Sequence, residues 1–454
     1  MTTPNVAVLV LDSVRRDHCS TYGYQRETTS GLTEIGKEGY VFENAYATGS
    51  WTVPSHGSLF TGQLPTVHGA HARKRYFDVE PERTLSGKLS ERGYETACFT
   101  ANPWLTHDFG FDTGFETVSD FTTDVPYPDA GDPRQLEVDA GSISGIVDVI
   151  KWITAEKSLQ RLRNSVHLKR TDLSSTDAEE IIAGIEQWLG EHDDDPFFLF
   201  ANFMDAHDPY SVDQRHDEFW HGNDGTIDVD WNLRSLNRSP EESQQRINDA
   251  YDSALHYLDT QIGKLVEILD HHDRLEDTLL LVLGDHGQCL GEHGYWGHGT
   301  FLYEELLQVP LIVRPPNGCN SVDINKLVSI RDLYDLVLDF TSGTTLPECI
   351  GTLPDPGDGR VVAESLGKHQ NIGIPSGVYS AEGFRGVVAE GRLGIRKYEE
   401  DWTDVGTGDW VSLLEKVEQQ ALRQGEIGSL NAANDEQIEF GETTKQQLED
   451  LGYM

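Results

Sequence analysis

Basic side chains are scarce in this chain: 35 lysines and arginines stand against 77 aspartates and glutamates, a formal charge of −42 over 454 residues. A surplus of that size repels nucleic-acid phosphates and anionic membrane surfaces, so nucleic-acid binding is excluded at the outset. The five cysteines, Cys19, Cys98, Cys289, Cys319 and Cys349, are an odd number without CxxC or metal-like spacing. They exclude a disulfide framework or zinc finger and read as reduced, mostly structural thiols. Long apolar runs are also missing. No segment reaches the ~18 residues a membrane span requires, and the opening MTTPNVAVLVLD lacks a basic leader, so a soluble cytoplasmic protein is expected.

The acidity is spread along the chain, in segments such as 191–196 and 399–409. Self-repulsion on this scale weakens a compact state, but at molar salt the screening length shrinks to roughly 3 Å. A salt-rich cytosol, as in a halophilic archaeon, is the expectation, and highest stability and activity at low salt would sink it.

Residues 5–11 (NVAVLVL), 197–203 (FFLFANF) and 278–283 (TLLLVL) are short continuous apolar runs, as in parallel strands covered on both faces. Each is followed by Asp or His residues. They alternate with helical stretches at 85–94, 178–192 and 252–272. The pattern predicts an α/β fold, a doubly wound and mostly parallel sheet flanked by helices. Ligands of such sheets gather beyond the carboxyl ends of the strands. A Pro, Gly and Asp-rich stretch at about 118–178 reads as a lid or insertion, and 384–400 reads as a hairpin turning at EGR. The expected division is a catalytic domain over 1–348 and a small α+β subdomain with an antiparallel sheet over 349–454.

Residues 48–69, TGSWTVPSHGSLFTGQLPTVHG, carry the most informative pattern. They resemble the sulfatase signature C-x-P-S-R-x-x-L-x-T-G of the alkaline phosphatase superfamily, matched by Thr52, Pro54, Ser55, Leu59, Thr61 and Gly62. Thr52 takes the place of the modified cysteine and His56 that of the arginine. Three further segments follow in the family's order. VLVLDSVRRDHCSTYGY resembles the first metal-binding strand end, with Asp12 present and Ser13 replacing a second aspartate. NFMDAHDPY resembles the substrate-histidine segment and points to His207. LVLGDHGQCLGEHGYWGHG resembles the second metal motif, with Asp285 and His286 as ligands and His298 where many members carry lysine. The lysine and histidine expected near 96–104 have no counterpart.

The residues support the same reading on their own chemistry. Asp12, Asp285 and His286 offer two carboxylates and an imidazole at strand ends, a set suited to one calcium, magnesium, manganese or zinc ion, with Thr52 as a fourth ligand. A bound cation would stabilise the Thr52 alkoxide and polarise the ester. A second metal site lacks its D-x-x-x-H spacing; Asp205 and His207, two apart, would share one strand face. His56, His207 and His298 are the candidates for binding ester oxygens or protonating the leaving group. His68, His71 and His293 read as structural. Threonine cannot give formylglycine, so the expected chemistry is hydrolysis of a small-molecule or glycan sulfate or phosphate ester through a covalent intermediate on Thr52. The set also resembles the single-metal centres of lipoteichoic-acid synthases and phosphoethanolamine transferases. Transfer to an alcohol acceptor on a glycan or headgroup, and a catalytically silent binding protein, remain the alternatives.

Overall fold

The computed structural model describes residues 3–121, 178–192, 195–211, 218–222, 226–227, 240–353, 360–366, 384–389 and 392–397. The three continuous apolar runs become the strands Asn5–Leu11, Phe197–Phe203 and Thr278–Gly284, with every residue buried. They lie side by side in the middle of an eight-stranded sheet. From edge to edge its order is Val322–Ser329, Tyr40–Tyr46, Leu311–Arg314, Thr278–Gly284, Asn5–Leu11, Phe197–Phe203, Glu95–Thr100 and Thr117–Asp120. Only Leu311–Arg314 runs against its neighbours; the remaining pairings are parallel.

Strand alternation divides the core into two layers. Val6, Val8 and Val10 join Phe198, Phe200, Leu279 and Leu281 on one face, packed with Leu59, Phe60, Leu85, Leu333 and Val337. Ala7, Leu9 and Leu11 join Leu199, Ala201, Leu280 and Val282 on the other. That second face is covered by Ile181, Ile185 and Trp188 of the helix Ala178–Glu191 and by the helix Pro240–His271. On the latter, Ile247, Tyr251, Leu255, Leu258, Ile262, Leu265 and Leu269 recur at three- and four-residue spacing and are all buried. Fully burying such a side chain contributes about 1.5–3 kcal/mol. Helices therefore flank both faces of a mostly parallel sheet, as the alternating pattern requires.

Three boundaries differ from the sequence expectation; the helix expected over 85–94 closes at Ser90. The long helix begins at Pro240, twelve residues before 252: its first two turns are polar, and its buried stripe opens at Ile247 and Tyr251; proline suits a first helical turn. The stretch from 118 opens as part of the edge strand Thr117–Asp120, half-buried in alternation and paired with Glu95–Thr100; the rest of the expected lid, 122–177, lies outside the described residues. The hairpin expected over 384–400 pairs Phe384–Ala389 with Arg392–Lys397, and Arg360–Ser365 adds a third antiparallel strand. The Glu364 amide donates to the Thr48 carbonyl (2.8 Å), tying this small sheet to the segment before Thr52. Among the described residues no helix is long and apolar enough to cross a membrane.

Candidate active site and metal centre

Two neighbouring central strands end in aspartates. Leu11 pairs with Gly284, so Asp12 and Asp285 emerge together at the carboxyl edge of the sheet. Ser13 then turns the chain with φ 60, a left-handed conformation that a non-glycine residue adopts at a cost of about 1–3 kcal/mol. Its amide donates to Asp285 Oδ1 (3.2 Å), and the Tyr251 hydroxyl donates to its carbonyl (2.9 Å), which holds the turn. Thus the residue standing where a second aspartate was expected orients both carboxylates, since its hydroxyl also donates to Asp12 Oδ1 (3.0 Å).

Asp12, Asp285 and His286 converge as buried groups, with one donor atom of each within 4.8 Å of the others. His286 Nδ1 lies 2.9 Å from the Gly287 carbonyl. A carbonyl only accepts, so Nδ1 carries the proton and Nε2 presents a lone pair. That lone pair faces Asp12 Oδ1 at 3.5 Å and Asp285 Oδ2 at 3.4 Å. Asp285 Oδ1 accepts the amides of Ser13 and His286, but neither Asp285 Oδ2 nor His286 Nε2 has a hydrogen-bond partner. Buried lone pairs pointed at one another cost energy unless a cation lies between them. Two carboxylates and an imidazole are the donor types of a divalent ion, and cis ligands of such an ion stand about 3 Å apart. The residues fit the metal.

Burial opposes ionisation of Asp12, but His286, His207 and His56 and the amide of Asn102 together hold its carboxyl below the ordinary value. Burial and the neighbouring Asp12 charge raise Asp285 well above it. Two full charges side by side are disfavoured here, and Asp285 is the member on which the penalty falls. Burial also lowers His286 and His56 to about 4 and lowers His207, so these imidazoles are neutral at pH 7.

Thr52 opens the helix Thr52–Thr61, preceded by extended Trp51 and ended by Gly62 at φ 68. Its hydroxyl is therefore at the positive end of a helix, where an anion is favoured. Asn102 Nδ2 donates to both Thr52 Oγ1 (3.2 Å) and Asp12 Oδ2 (2.8 Å), joining nucleophile candidate to ligand candidate. Sequence reasoning missed this residue. Its available signal was position: Asn102 follows the buried strand Glu95–Thr100 as Asp12 follows its own. Asn202 was missed too; its amide reaches Asp12 Oδ2 at 3.4 Å and His56 Nε2 at 3.5 Å.

The four histidines separate into roles. His56 lies behind the carboxylates, with Nδ1 on the Thr52 carbonyl (3.0 Å) and 3.5 Å from Asp285 Oδ2, its ring against Phe60 and Phe200. It is wholly buried and neutral, so it does not supply the charge of an arginine. The His298 ring sits 4.6 Å from His286 and 4.9 Å from His207. His298 Nδ1 is 2.6 Å from Gln288 Oε1, a partner the sequence did not reveal; an amide oxygen only accepts, so Nδ1 carries the proton. Asp205 does not join them: the strand has ended at Phe203, and Asp205 Oδ1 accepts the Ala178 amide at a helix start. Among the described residues there is one metal-capable group. His68 and His71 are tied to neighbouring chain atoms, and His293 meets Glu305. All five cysteines are free thiols.

The family profile for sulfatases matches residues 4–344. The arylsulfatase of Clostridium perfringens is 23% identical over 382 residues, covering 74% of this chain and 74% of that protein. The N-acetylglucosamine-6-O-sulfatase of Bacteroides thetaiotaomicron is 23% identical over 401 residues, covering 76% of this chain and 69% of that protein. Among solved structures, the phosphonate monoester hydrolase of Agrobacterium radiobacter superposes with a TM-score of 0.64 at 17% identity, over 93% of this chain and 96% of that one. With its mostly parallel sheet, its strand-end carboxylates and a family match across three quarters of its length, the chain belongs to the sulfatase family of sulfuric and phosphoric ester hydrolases, on the alkaline phosphatase-like fold.

Proposed function

We propose that this chain hydrolyses a sulfate or phosphate ester through covalent attack by Thr52, with one divalent ion held by Asp12, Asp285 and His286. The observation that carries the reading is the pair of partnerless buried atoms, Asp285 Oδ2 and His286 Nε2, turned toward Asp12 beside the Thr52 hydroxyl. When bound, the cation supplies Lewis acidity and stabilises negative charge on oxygen.

The remaining work falls to the side chains. Asn102 fixes Thr52 Oγ1, His56 holds the Thr52 carbonyl, and the helix N-terminus favours the ester's anionic oxygens. Thr52 Oγ1 forms a bond to sulfur or phosphorus as its proton passes to a neutral imidazole, and the bond to the alcohol oxygen breaks as that proton is delivered to the departing oxygen. His207 and His298, adjoining His286, are the groups placed to move a proton to the departing oxygen. A threonine ester has no second hydroxyl through which to collapse, so water must attack in a second step to free Thr52. Neutral imidazoles suit that exchange of protons.

The substrate class is a small-molecule or glycan ester; the likeness to an N-acetylglucosamine-6-O-sulfatase supports a sulfated sugar. The test is turnover of aryl sulfates, phosphate monoesters and phosphodiesters with manganese, magnesium, calcium or zinc, using Thr52→Ala as control. Loss of turnover in Thr52→Ala with metal still bound is expected. Equal activity in variant and parent would reject Thr52 as nucleophile.

A further inference from the structure

The site is built, among the described residues, without a fixed positive charge. Among the described residues, no lysine or arginine bonds to Asp12, Thr52, Asn102, Asp285 or His286, and the imidazoles beside them are neutral. From the described residues that form it, an anionic ester would meet hydrogen-bond donors but no guanidinium or ammonium. Of the described arginines beside it, Arg15 is already paired with Asp17 and Glu292, and Arg75 is not paired. The Arg75 guanidinium lies over the Trp104 ring, 5.3 Å from the centroid.

Trp104 is bound into the site on two sides. Its amide donates to Asn102 Oδ1 (2.9 Å), the same side chain whose Nδ2 holds Thr52 and Asp12. Its ring meets Trp51 edge-on at 5.3 Å, and Trp51 immediately precedes Thr52. Arg75 is fixed from both directions as well. His71 and Lys74 exchange backbone hydrogen bonds (2.9 Å each) just before it, and just after it the Phe77 amide donates to the Phe109 carbonyl (2.8 Å). The arginine therefore rides on a braced loop rather than a free tip.

What sets Arg75 apart is that its guanidinium has neither a counter-charge nor a hydrogen bond among the described residues. Arg15, Arg16, Arg26 and Arg314 each pair with carboxylates. Arg75, half-buried, has neither ion pair nor hydrogen bond among the described residues, in a chain carrying 77 acidic side chains. Burial alone draws its pKa down, with no acid to offset it. A planar guanidinium with its donors unspent is suited to the oxygens of a sulfate, phosphate or carboxylate.

We propose that Arg75 is the anion-binding, specificity-determining residue of this site, held on Trp104 to take an anionic oxygen of the substrate. The proposal rests on the ester-hydrolase reading above. Its rival is a packing role, the guanidinium serving only as a cover for the tryptophan.

The test uses the full chain with divalent metal: parent, Arg75→Gln and Arg75→Lys, each with its melting temperature. Two readouts are taken. Calorimetric titration with inorganic sulfate and with inorganic phosphate reports anion binding without turnover. Steady-state kinetics compare an aryl sulfate with the same compound bearing a ring carboxylate. Arg75→Gln is expected to weaken anion binding and raise KM by about tenfold or more, as for a lost charge-assisted hydrogen bond, with kcat and melting temperature little changed and part of the loss restored by lysine. A loss shared by both aryl sulfates places Arg75 on the scissile group; a loss confined to the carboxylated one places it on a second anion. Unchanged anion affinity and unchanged KM in Arg75→Gln overturn the proposal, as does equal impairment of both variants with a lowered melting temperature. A parent that turns over nothing yet binds sulfate through Arg75 rejects the hydrolase reading and keeps this one.

Discussion

Replacing Asp285 by asparagine separates two consequences of the same geometry. In the absence of metal, Asp285 Oδ2 has no hydrogen-bond partner and faces the bare Nε2 of His286 at 3.4 Å. Asparagine leaves Oδ1 to accept the Ser13 and His286 amides and puts an N–H donor where Oδ2 was. The new N–H meets the His286 lone pair, and a burdened carboxyl, raised by burial and by Asp12, disappears. Since a buried unsatisfied polar group costs about 1–3 kcal/mol, Asp285→Asn should be more stable than the parent in chelator by that amount. With metal the order reverses. A ligand at a hundred times its Kd stabilises the parent by about 2.7 kcal/mol, and the variant should gain little. Urea unfolding of both proteins, with chelator and with manganese, measures all four states. A variant less stable than the parent in chelator, and stabilised as much as the parent by metal, would refute the reasoning.

Two further outcomes follow from particular residues. His68 is buried between the Ser58 hydroxyl and the Ala70 amide, and burial lowers its pKa to about 3. A folded-state pKa below the unfolded value of about 6.5 means its contribution is complete above pH 6.5 and lost as pH falls toward 3, about 2–3 kcal/mol by pH 4.5; urea midpoints across that range should fall, and His68→Gln should flatten the slope. Asn102→Ala removes the donor to Thr52 Oγ1 and Asp12 Oδ2. It should lower kcat about a hundredfold while metal affinity, measured by titration, changes far less, because none of the three ligand atoms belongs to it.

The sequence exposed the centre of the fold more fully than its edges. Three continuous β-branched and aromatic runs predicted the three central strands, because a strand covered on both faces has no polar alternation to hide it. Leu311–Arg314, four residues long and antiparallel, carries no mark of its direction; that is set by the pairing at Ile312 with Val41 on one side and Val282 on the other. The candidate ligands were legible for a related reason, since acidic residues directly after buried strands stand where such sheets collect ligands. Asn102 was not, because asparagine after a strand reads as a turn or cap. It does cap, accepting the Trp104 amide, and its second role depends on the fold bringing Thr52 within 3.2 Å. Arg75 was silent for the opposite reason: its distinction is a missing partner, which no sequence pattern displays.

The account stands on one cation between three side chains. A crystal of the metal-bound protein, measured at a wavelength where manganese scatters anomalously, would show it. The expected map has one peak, within about 2.0–2.4 Å of Asp12, Asp285 Oδ2 and His286 Nε2 and beside Thr52 Oγ1. A protein active with metal but with its peak elsewhere, or with no peak among those atoms, would contradict the account.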